Sequence, residues 1–386
     1  MFSKKMDQFQ TSVFNELADY KMVKMKEGKD IIDLSIGSPD LPPPSFVMEE
    51  LSSSVKDPSL YRYSLRGIPE LHDAISHYYH HHYNVELAQE DEVLVVMGSQ
   101  DGLVHLPLVV ADPGDIILVP DPGYTAYAAG ISLAEAIPYS MPLKEEDAFL
   151  PDLDAIPDEV RQKAKLMILN FPGNPVPSTA SREFFEKVVR FAKENKIVVL
   201  HDFAYSELYY DERPISFLSV EGANEVGIEF NSLSKSFNMA GCRIGYVVGN
   251  PHVLEGLKRL KSNLDYGVFL PVQKAAVVAL KNTTNFSNEL RMIYKKRRDI
   301  LVAGLNSLGW KVDSPPASMF IWARVPSSYK STEFAFRLID DAGIVTTPGV
   351  AFGDNGEGYL RISLVQNEET LHKAVLRLKE SGIFSK

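Results

Sequence analysis

A single lysine, Lys235, lies in a loop of small hydroxylated residues, with Ser232 and Ser234 before it and Arg243 eight positions after it. A lysine in a serine-rich loop is usually a solvated surface residue. Apolar residues flank this loop, so we expect it to lie inside the fold, where burial lowers the pKa of the ammonium group and favours a nucleophilic amine. A neutral lysine forms a Schiff base with a carbonyl compound, and two hydroxyls with a planar guanidinium suit a phosphate. This combination predicts the phosphorylated aldehyde cofactor pyridoxal 5′-phosphate (PLP).

Five short apolar segments predict the strands that position this loop. Each has four or five residues and is apolar throughout, which is typical of strands buried on both faces of a parallel sheet. The helical pattern of Arg182–Asn195 fits a crossover between two of them. The sequence therefore predicts an α/β domain with a doubly wound, mostly parallel sheet. The segments are Val93–Val96, Ile116–Val119, Leu166–Leu169, Ile197–Leu200 and Ile244–Val248.

Candidate ligand-binding residues follow these segments, at the sheet edge where ligands of parallel sheets bind. Ser99 and Gln100 follow the first segment at a helix start, where backbone N–H groups can reach an anion. A glycine-rich helix start is common in sheet proteins, so this signal is weak alone. Tyr124 follows the second segment after a stiff proline turn, and its ring suits either a planar cofactor or the protein core.

The next two segments are followed by an amide and a carboxylate. Asn174 lies in a rigid turn and can donate to a phenolate oxygen. Asp202 follows four apolar residues, so its carboxylate lies deep and needs a cationic or N–H partner, such as a pyridinium nitrogen. Tyr205, in the same loop, would then reach the oxygen of such a ring. Together with the lysine loop, these residues place cofactor-binding groups after five strands in succession, an order that we do not expect by chance.

The length of 386 residues predicts two domains. We expect an N-terminal arm with part of the small domain at 1–46, a large cofactor-binding domain at 47–275 and a small α+β domain at 276–386. In the arm, four apolar residues predict a short helical stripe. They are Phe9, Val13, Phe14 and Leu17.

Composition excludes several classes of partner. The formal net charge of −11 argues against nucleic acid and anionic membranes. No apolar run is long enough to cross a membrane, and the N-terminus lacks the apolar core of a signal peptide. The single cysteine, Cys242, excludes a disulfide framework and suits a reducing compartment. We therefore expect a cytoplasmic protein that acts on small molecules.

Two clusters of polar residues are interpreted as structural. The basic run Lys295–Arg298 is expected to form a solvated helix face. His77 and His81 lie one helical turn apart, but no cysteine or carboxylate pair stands at ligand spacing. No metal site is expected.

The motifs together resemble those of fold-type I PLP-dependent aminotransferases of class I/II, the group that includes aspartate, alanine and LL-diaminopimelate aminotransferases. The resemblance covers nearly the whole chain, from the Gly37-Ser-Pro-Asp motif to Gly358-Tyr-Leu-Arg-Ile-Ser, and is most specific at Asn231–Gly245 and Asp202–Tyr205. It implies an enzyme that moves the α-amino group of an amino acid to a 2-oxo acid by a ping-pong mechanism through a Lys235 Schiff base.

The resemblance also implies a role for each candidate residue. Lys235 carries the cofactor and acts as the general base. Asp202 pairs with the pyridine nitrogen and keeps the ring an electron sink. Arg361 binds the substrate α-carboxylate, helped by Asn174 and the backbone at Gly37. The implied cofactor contacts are Tyr124 stacked on the ring, Asn174 and Tyr205 at its 3-oxygen, and Ser99, Gln100, Ser232, Ser234 and Arg243 at the phosphate.

Two positions depart from the family pattern. The usual Asn-Pro-Thr-Gly turn is replaced by Asn174-Pro-Val-Pro-Ser, which alters the shape of the loop and leaves Asn174 in place. Family members place a tyrosine five residues before the glycine matching Gly67, where it reaches the phosphate of the neighbouring subunit. Arg62 occupies that position here, between Tyr61 and Tyr63. We assign the role to Tyr63, which implies a homodimer with shared active sites.

Three other functions differ from this one in the residues or modules that they need. A β-elimination C–S lyase uses the same cofactor and is the main alternative. A ligand-sensing transcription regulator needs a DNA-binding module, for which the short N-terminal arm leaves no room. A nicotinamide dehydrogenase is disfavoured because no G-x-G-x-x-G follows the first strand. The side chain of the donor stays open among aspartate, alanine, aromatic and diaminopimelate substrates.

Overall fold

Short buried strands and amphipathic helices alternate along the computed structural model, which describes residues 2, 6, 9 and 13–384. The strands are β1 Ile32–Asp33, β2 Val93–Val96, β3 Ile116–Asp121, β4 Ile137–Pro142, β5 Ala164–Asn170, β6 Val198–Asp202, β7 Gly227–Ser232, β8 Gly245–Gly249, β9 Phe320–Arg324, β10 Ile344–Val345, β11 Thr347–Pro348 and β12 Tyr359–Ser363. The α-helices are α1 Val13–Lys26, α2 Ser45–Ser54, α3 Pro69–Tyr83, α4 Ser99–Val110, α5 Ala126–Leu133, α6 Asp158–Lys163, α7 Arg182–Asn195, α8 Ala223–Val226, α9 Leu233–Ser236, α10 Pro251–Leu264, α11 Leu270–Leu280, α12 Phe286–Ser307, α13 Ser331–Ala342 and α14 Glu368–Glu380.

The central sheet has seven strands in the order β2-β8-β7-β6-β5-β3-β4. Strand β8 is antiparallel to both of its neighbours, and the other pairs are parallel. Two strands were not predicted. Strand β7 carries polar residues at Glu229, Asn231 and Ser232, so it lacks a continuous apolar run. Strand β4 lies at the edge of the sheet, is mostly exposed and contains two prolines.

Helices cover both faces of this sheet. Phe185 of α7 is buried against one face, and Leu103 of α4 and Leu257 of α10 are buried against the other. Helix α4 lies so close to β7 that a Cβ added to Gly102 would be 2.3 Å from the Phe230 ring. Glycine is therefore required at this contact, which fixes the start of α4 beside the end of β7. The predicted doubly wound α/β fold is confirmed.

A second unit combines both ends of the chain. Strands β11, β12 and β9 form an antiparallel sheet, while β1 and β10 form a parallel pair in which Ile32 lies opposite Ile344. Residues of α12, α13 and α14 share an apolar cluster with this unit. The α+β unit is thus confirmed, whereas the boundaries 1–46, 47–275 and 276–386 stay predictions. Leu17 is buried in the same cluster, but Phe9 is exposed and precedes α1, so the predicted stripe is wrong at that residue.

The interpretation of Lys295–Arg298 as a solvated face is wrong for two of its residues. Arg297 is 3% exposed and makes a two-point ion pair with Asp40, at 2.7 and 2.8 Å. Arg298 is 7% exposed and donates to the carbonyl oxygen of Pro315 at 3.1 Å. The run therefore ties α12 to the segment after β1.

Two absences concern only the described residues. Among them, no group of three or more histidine, cysteine, aspartate or glutamate side chains is placed to hold a metal ion. No helix in that part of the chain combines the length and the apolarity needed to span a bilayer.

Candidate active site

Five strand ends meet at one edge of the seven-stranded sheet, around a cavity of about 610 Å³. They are the carboxyl ends of β2, β3, β5, β6 and β7. Because β8 is antiparallel, its beginning lies at the same edge, which brings Arg243 to the cavity. Every predicted site residue except Tyr63 lines the cavity: Gly37, Ser99, Gln100, Tyr124, Asn174, Asp202, Tyr205, Ser232, Ser234, Lys235, Arg243 and Arg361.

Lys235 projects into the cavity from α9, directly after β7. Its Nζ donates to the carbonyl oxygen of Gly37 and lies 5.9 Å from the centre of the Tyr205 ring. Burial, together with the nearby guanidinium groups of Arg361 and Arg243, lowers the pKa of Lys235 to about 8. At pH 7 about one such amine in ten is neutral, against about one in three thousand for a free lysine. The loop therefore supplies a nucleophilic amine.

Asp202 ends β6 and is 4% exposed. It accepts hydrogen bonds from the Tyr127 hydroxyl at 2.8 Å and from the Ala204 N–H at 3.3 Å. Burial raises the pKa of Asp202, and the hydrogen bond from Tyr127 opposes that shift. Because no cation pairs with it among the described residues, the carboxylate can bind a cationic group of a ligand.

The start of α4 and Arg243 form the anion-binding end of the cavity. Gly98 precedes α4 with φ of +78°, and a Cβ added there would be 2.6 Å from Arg243 Nη2. Glycine thus lets the guanidinium lie against the N-terminus of the helix, where the first N–H groups are free to bind an anion. Ser232 Oγ accepts from the Ser234 N–H at 3.1 Å. Arg243 forms no ion pair within the described part of the chain.

Arg361 lies opposite this end, in β12, and is 4% exposed. It donates to Asn174 Oδ1 at 2.8 Å and to the Ser35 carbonyl oxygen at 2.7 Å. The rings of Phe320 and Phe352 lie 4.4 and 4.7 Å from its guanidinium carbon and hold it in place. Burial lowers the pKa of Arg361 to about 10. No described carboxylate pairs with it, so it is free to bind the carboxylate of a ligand.

Sequence reasoning missed several residues of the site. Tyr127 lies three residues after Tyr124, and this helical spacing was the available signal. Asn170 lies at the very end of β5, where its amide donates to the Asp202 carbonyl oxygen at 2.8 Å. Phe14 and Phe352 come from opposite ends of the chain and meet edge to face at 5.5 Å beside the cavity, which no local pattern indicates.

Tyr63 is not part of the cavity within one chain. Its side chain is 80% exposed and packs on Tyr266, with the ring centres 4.8 Å apart. Tyr61 is 63% exposed, packs on Phe269 at 5.2 Å and donates to the Val55 carbonyl oxygen at 2.8 Å. The two tyrosines therefore form part of an exposed aromatic surface.

Comparison with known proteins identifies the family of this chain. The family model for aminotransferase class I and II matches residues 29–378. LL-diaminopimelate aminotransferase from Desulforudis audaxviator is 47% identical over 358 residues, which cover 92% of this chain and 91% of that protein. The enzyme of the same name from Halothermothrix orenii is 45% identical over 360 residues, with coverage of 93% and 92%. Substrate-bound BacF from Bacillus subtilis superposes with a TM-score of 0.95 at 38% identity, covering 98% of this chain and 97% of that one. The chain therefore belongs to the class I and II aminotransferases, a family of PLP-dependent enzymes, and is an aminotransferase.

Proposed function

We propose that this aminotransferase moves the α-amino group of an amino acid to a 2-oxo acid, with Lys235 and Arg361 at the reacting centre. The observation that carries the proposal is the placement of three ionisable groups around one cavity without ion-pair partners in the described chain. Lys235 supplies an amine of lowered pKa, Asp202 a buried carboxylate and Arg361 a buried guanidinium. A cofactor aldehyde, a pyridine nitrogen and a substrate carboxylate would match them.

The residues of the cavity fit PLP. The close approach of Arg243 to Gly98 places a cation and free helix N–H groups together, as a phosphate requires. Tyr124 donates to Gln100 Oε1 at 3.3 Å, which joins the phosphate end to the ring side of the cavity. When bound, PLP supplies an electron sink for charge that develops at the substrate Cα. The residues that would hold it are Ser99, Gln100, Tyr124, Asn174, Asp202, Tyr205, Ser232, Ser234 and Arg243.

Three side chains of the protein have separate roles in the proposed reaction, and the charge of each side chain determines its role. Asp202 would hold its negative charge against the pyridine nitrogen of PLP, and Tyr127 fixes the orientation of that carboxylate. Arg361 holds the substrate α-carboxylate at two points and thereby sets the direction of the bonds at Cα. Lys235, in its neutral form, would accept the proton from the substrate Cα as a general base and then hold it as an ammonium group, from which it can be donated to another carbon atom as a general acid.

We also propose a homodimer in which Tyr63 reaches the partner's cavity. Exposed aromatic patches of this kind mark protein interfaces. Tyr63 has no hydrogen-bond partner for its hydroxyl among the described residues, whereas the Tyr61 hydroxyl is already bound to a carbonyl oxygen.

A cytoplasmic location of the protein is supported by its single free cysteine, and cell fractionation tests this location.

The dimer proposal predicts different effects for the two tyrosines. Tyr63→Phe should weaken the affinity for PLP about 10- to 150-fold, because one hydrogen bond to a charged group is lost. Tyr61→Phe is the matched control and should change that affinity less than twofold. Equilibrium titration with PLP and sedimentation of the holoenzyme measure both points. A fully active monomer would contradict the proposal.

LL-diaminopimelate is the leading candidate donor, because relatives that span nearly the whole chain carry that name. One feature supports a second candidate, a donor with an aromatic or large apolar side chain. Phe14 and Phe352 form an aromatic wall beside Arg361, and the cations that line the described cavity are Lys235, Arg243 and Arg361. A distal carboxylate would therefore need a group from the partner subunit.

A donor panel separates these candidates. With 2-oxoglutarate and pyruvate as acceptors, we expect kcat/KM for LL-diaminopimelate to exceed that for phenylalanine by at least about tenfold. Loss of one apolar contact changes discrimination by about 10–200-fold. Phe14→Ala should therefore lower kcat/KM selectively for aromatic donors if these use the wall, with alanine as the control donor. A preference for phenylalanine supports the second candidate. Pyruvate formed from cystathionine without any oxo acid would indicate the lyase reaction instead.

Replacement of the lysine tests the proposed centre directly. Lys235→Ala should lower turnover more than about 10³-fold, because both the amine that holds the cofactor and the general base are lost. PLP should still bind non-covalently through its phosphate. Borohydride should fix a pyridoxyl group on Lys235, detected by peptide mass analysis, in the wild type and in the surface control Lys187→Ala, which should retain full activity. Undiminished activity of Lys235→Ala would refute the assignment.

The lowered pKa of Lys235 predicts how cofactor attachment depends on pH. Because the neutral amine attacks the aldehyde, the rate of PLP attachment to the apoenzyme should rise about tenfold per pH unit up to pH 8 and then level off. A free lysine analogue, with an ordinary amine pKa of 10.5, should keep accelerating to pH 10 and corrects for titration of PLP itself. Stopped-flow absorbance measures both. Parallel curves for enzyme and analogue would contradict the prediction.

A further inference from the structure

A second buried cluster lies beside Asp202, reached from the neighbouring position in β6. His201 is fully buried, with Nδ1 2.7 Å from Glu229 Oε2 and Nε2 3.0 Å from the carbonyl oxygen of Phe171. Glu229 is fully buried as well. Three more donors reach its carboxylate: the Tyr79 hydroxyl at 2.8 Å, the Ser216 hydroxyl at 2.9 Å and the Phe217 N–H at 2.8 Å.

Both ring nitrogens of His201 face hydrogen-bond acceptors. The three donors that reach Glu229 favour its ionised, acceptor-only form. Against an ionised carboxylate, a neutral imidazole with one N–H would leave one of these short contacts between two lone pairs, whereas an imidazolium donates in both. The rings of Phe185 and Phe203 lie 5.1 and 4.9 Å away, so the surroundings are apolar. Glu229 is the ion-pair partner that the described chain provides. The hydrogen bonds therefore assign a buried imidazolium–carboxylate pair.

This pair is connected to the active site through the turn after β5. The imidazole N–H holds the carbonyl group of Phe171. The preceding Asn170 donates to the Asp202 carbonyl oxygen at 2.8 Å and accepts from the Asn174 N–H at 2.9 Å. Asn174 in turn accepts from Arg361 at 2.8 Å. A displacement of the turn would therefore disturb both Asp202 and Arg361, which lie at opposite ends of the substrate site.

We propose that the His201–Glu229 ion pair is a positioning element of the active site, which fixes the Asn174 turn and keeps Asp202 ionised from behind the sheet. The proposal rests on the role of Asp202 in the proposed function. Burial raises the pKa of Asp202, and the neighbouring imidazolium charge opposes that shift. Neither His201 nor Glu229 lines the cavity, so both act through other residues.

A matched pair of substitutions tests the proposal in the holoenzyme. Glu229→Gln removes the counter-ion, so His201 should become neutral and Asp202 should lose a nearby positive charge. We expect the dissociation constant for PLP to rise about tenfold, the equivalent of one pKa unit, and kcat to fall in parallel. Tyr79→Phe removes one hydrogen bond from the same carboxylate but keeps the ion pair. It should destabilise the fold and leave PLP affinity within twofold of the wild type.

Equal PLP affinities in Glu229→Gln and Tyr79→Phe would overturn the positioning role, while continued transamination by both would leave the proposed function standing. Asp202→Asn tests the proposed function by itself, because it leaves the His201–Glu229 pair in place. An unchanged PLP affinity in that variant would remove Asp202 from the proposed function, whatever the state of His201.

A measurement on a protein with the ion pair intact covers the case in which Glu229→Gln fails to fold. Histidine-selective ¹⁵N labelling reports whether both ring nitrogens carry protons. His72 also has both nitrogens on carbonyl oxygens, so the experiment uses a His72→Asn background. One histidine should show two ring N–H protons in slow exchange with solvent, because both of its N–H groups lie in buried hydrogen bonds. Spectra in which no histidine shows two such protected protons would overturn the proposal.

Discussion

Lys235, Asp202 and Arg361 bring three ionisable groups to one cavity, and none of them forms an ion pair within the described chain. Holding an ion away from water costs several kcal/mol unless a partner compensates it. The lowered pKa of Lys235 reduces part of this cost, because a larger fraction of the amine is neutral than in a free lysine. A ligand that supplies the opposite charges would remove the remaining free-energy cost, so binding of that ligand also stabilises the fold.

Such a site depends on a scaffold that cannot relax around the uncompensated charges. Phe320 and Phe352 stack on the Arg361 guanidinium, and Asn174 and a backbone carbonyl oxygen bind its N–H groups. On the other side, α4 presses on β7 at Gly102. Each charged group is thus fixed by an element that belongs to the packed core. Because the groups cannot turn toward solvent or toward one another, they stay directed at the cavity.

The sequence predicts which residues line this cavity because most of them directly follow strands whose carboxyl ends lie at one edge of the sheet. Short apolar runs followed by polar residues are local, and parallel strands bring their ends to one edge. Long-range partners leave no such trace. Arg297 and Arg298 look solvated because Asp40, which pairs with Arg297, is 257 residues away. Strand β7 escaped detection because Glu229, Asn231 and Ser232 interrupt its apolar pattern, although these residues are all buried.

One of these buried polar residues of β7, Glu229, lies on the face of the sheet opposite the cavity. Side chains alternate along a strand, so Asp202 and its neighbour His201 leave β6 on opposite faces. The front carboxylate is left without a cation, whereas the imidazole behind it has a partner in Glu229. A fully apolar back face would pack equally well but would put no positive charge near Asp202, and burial alone would favour the protonated acid. Polar residues buried in a strand on one face of the sheet can therefore influence the charge state of a carboxylate on the other face.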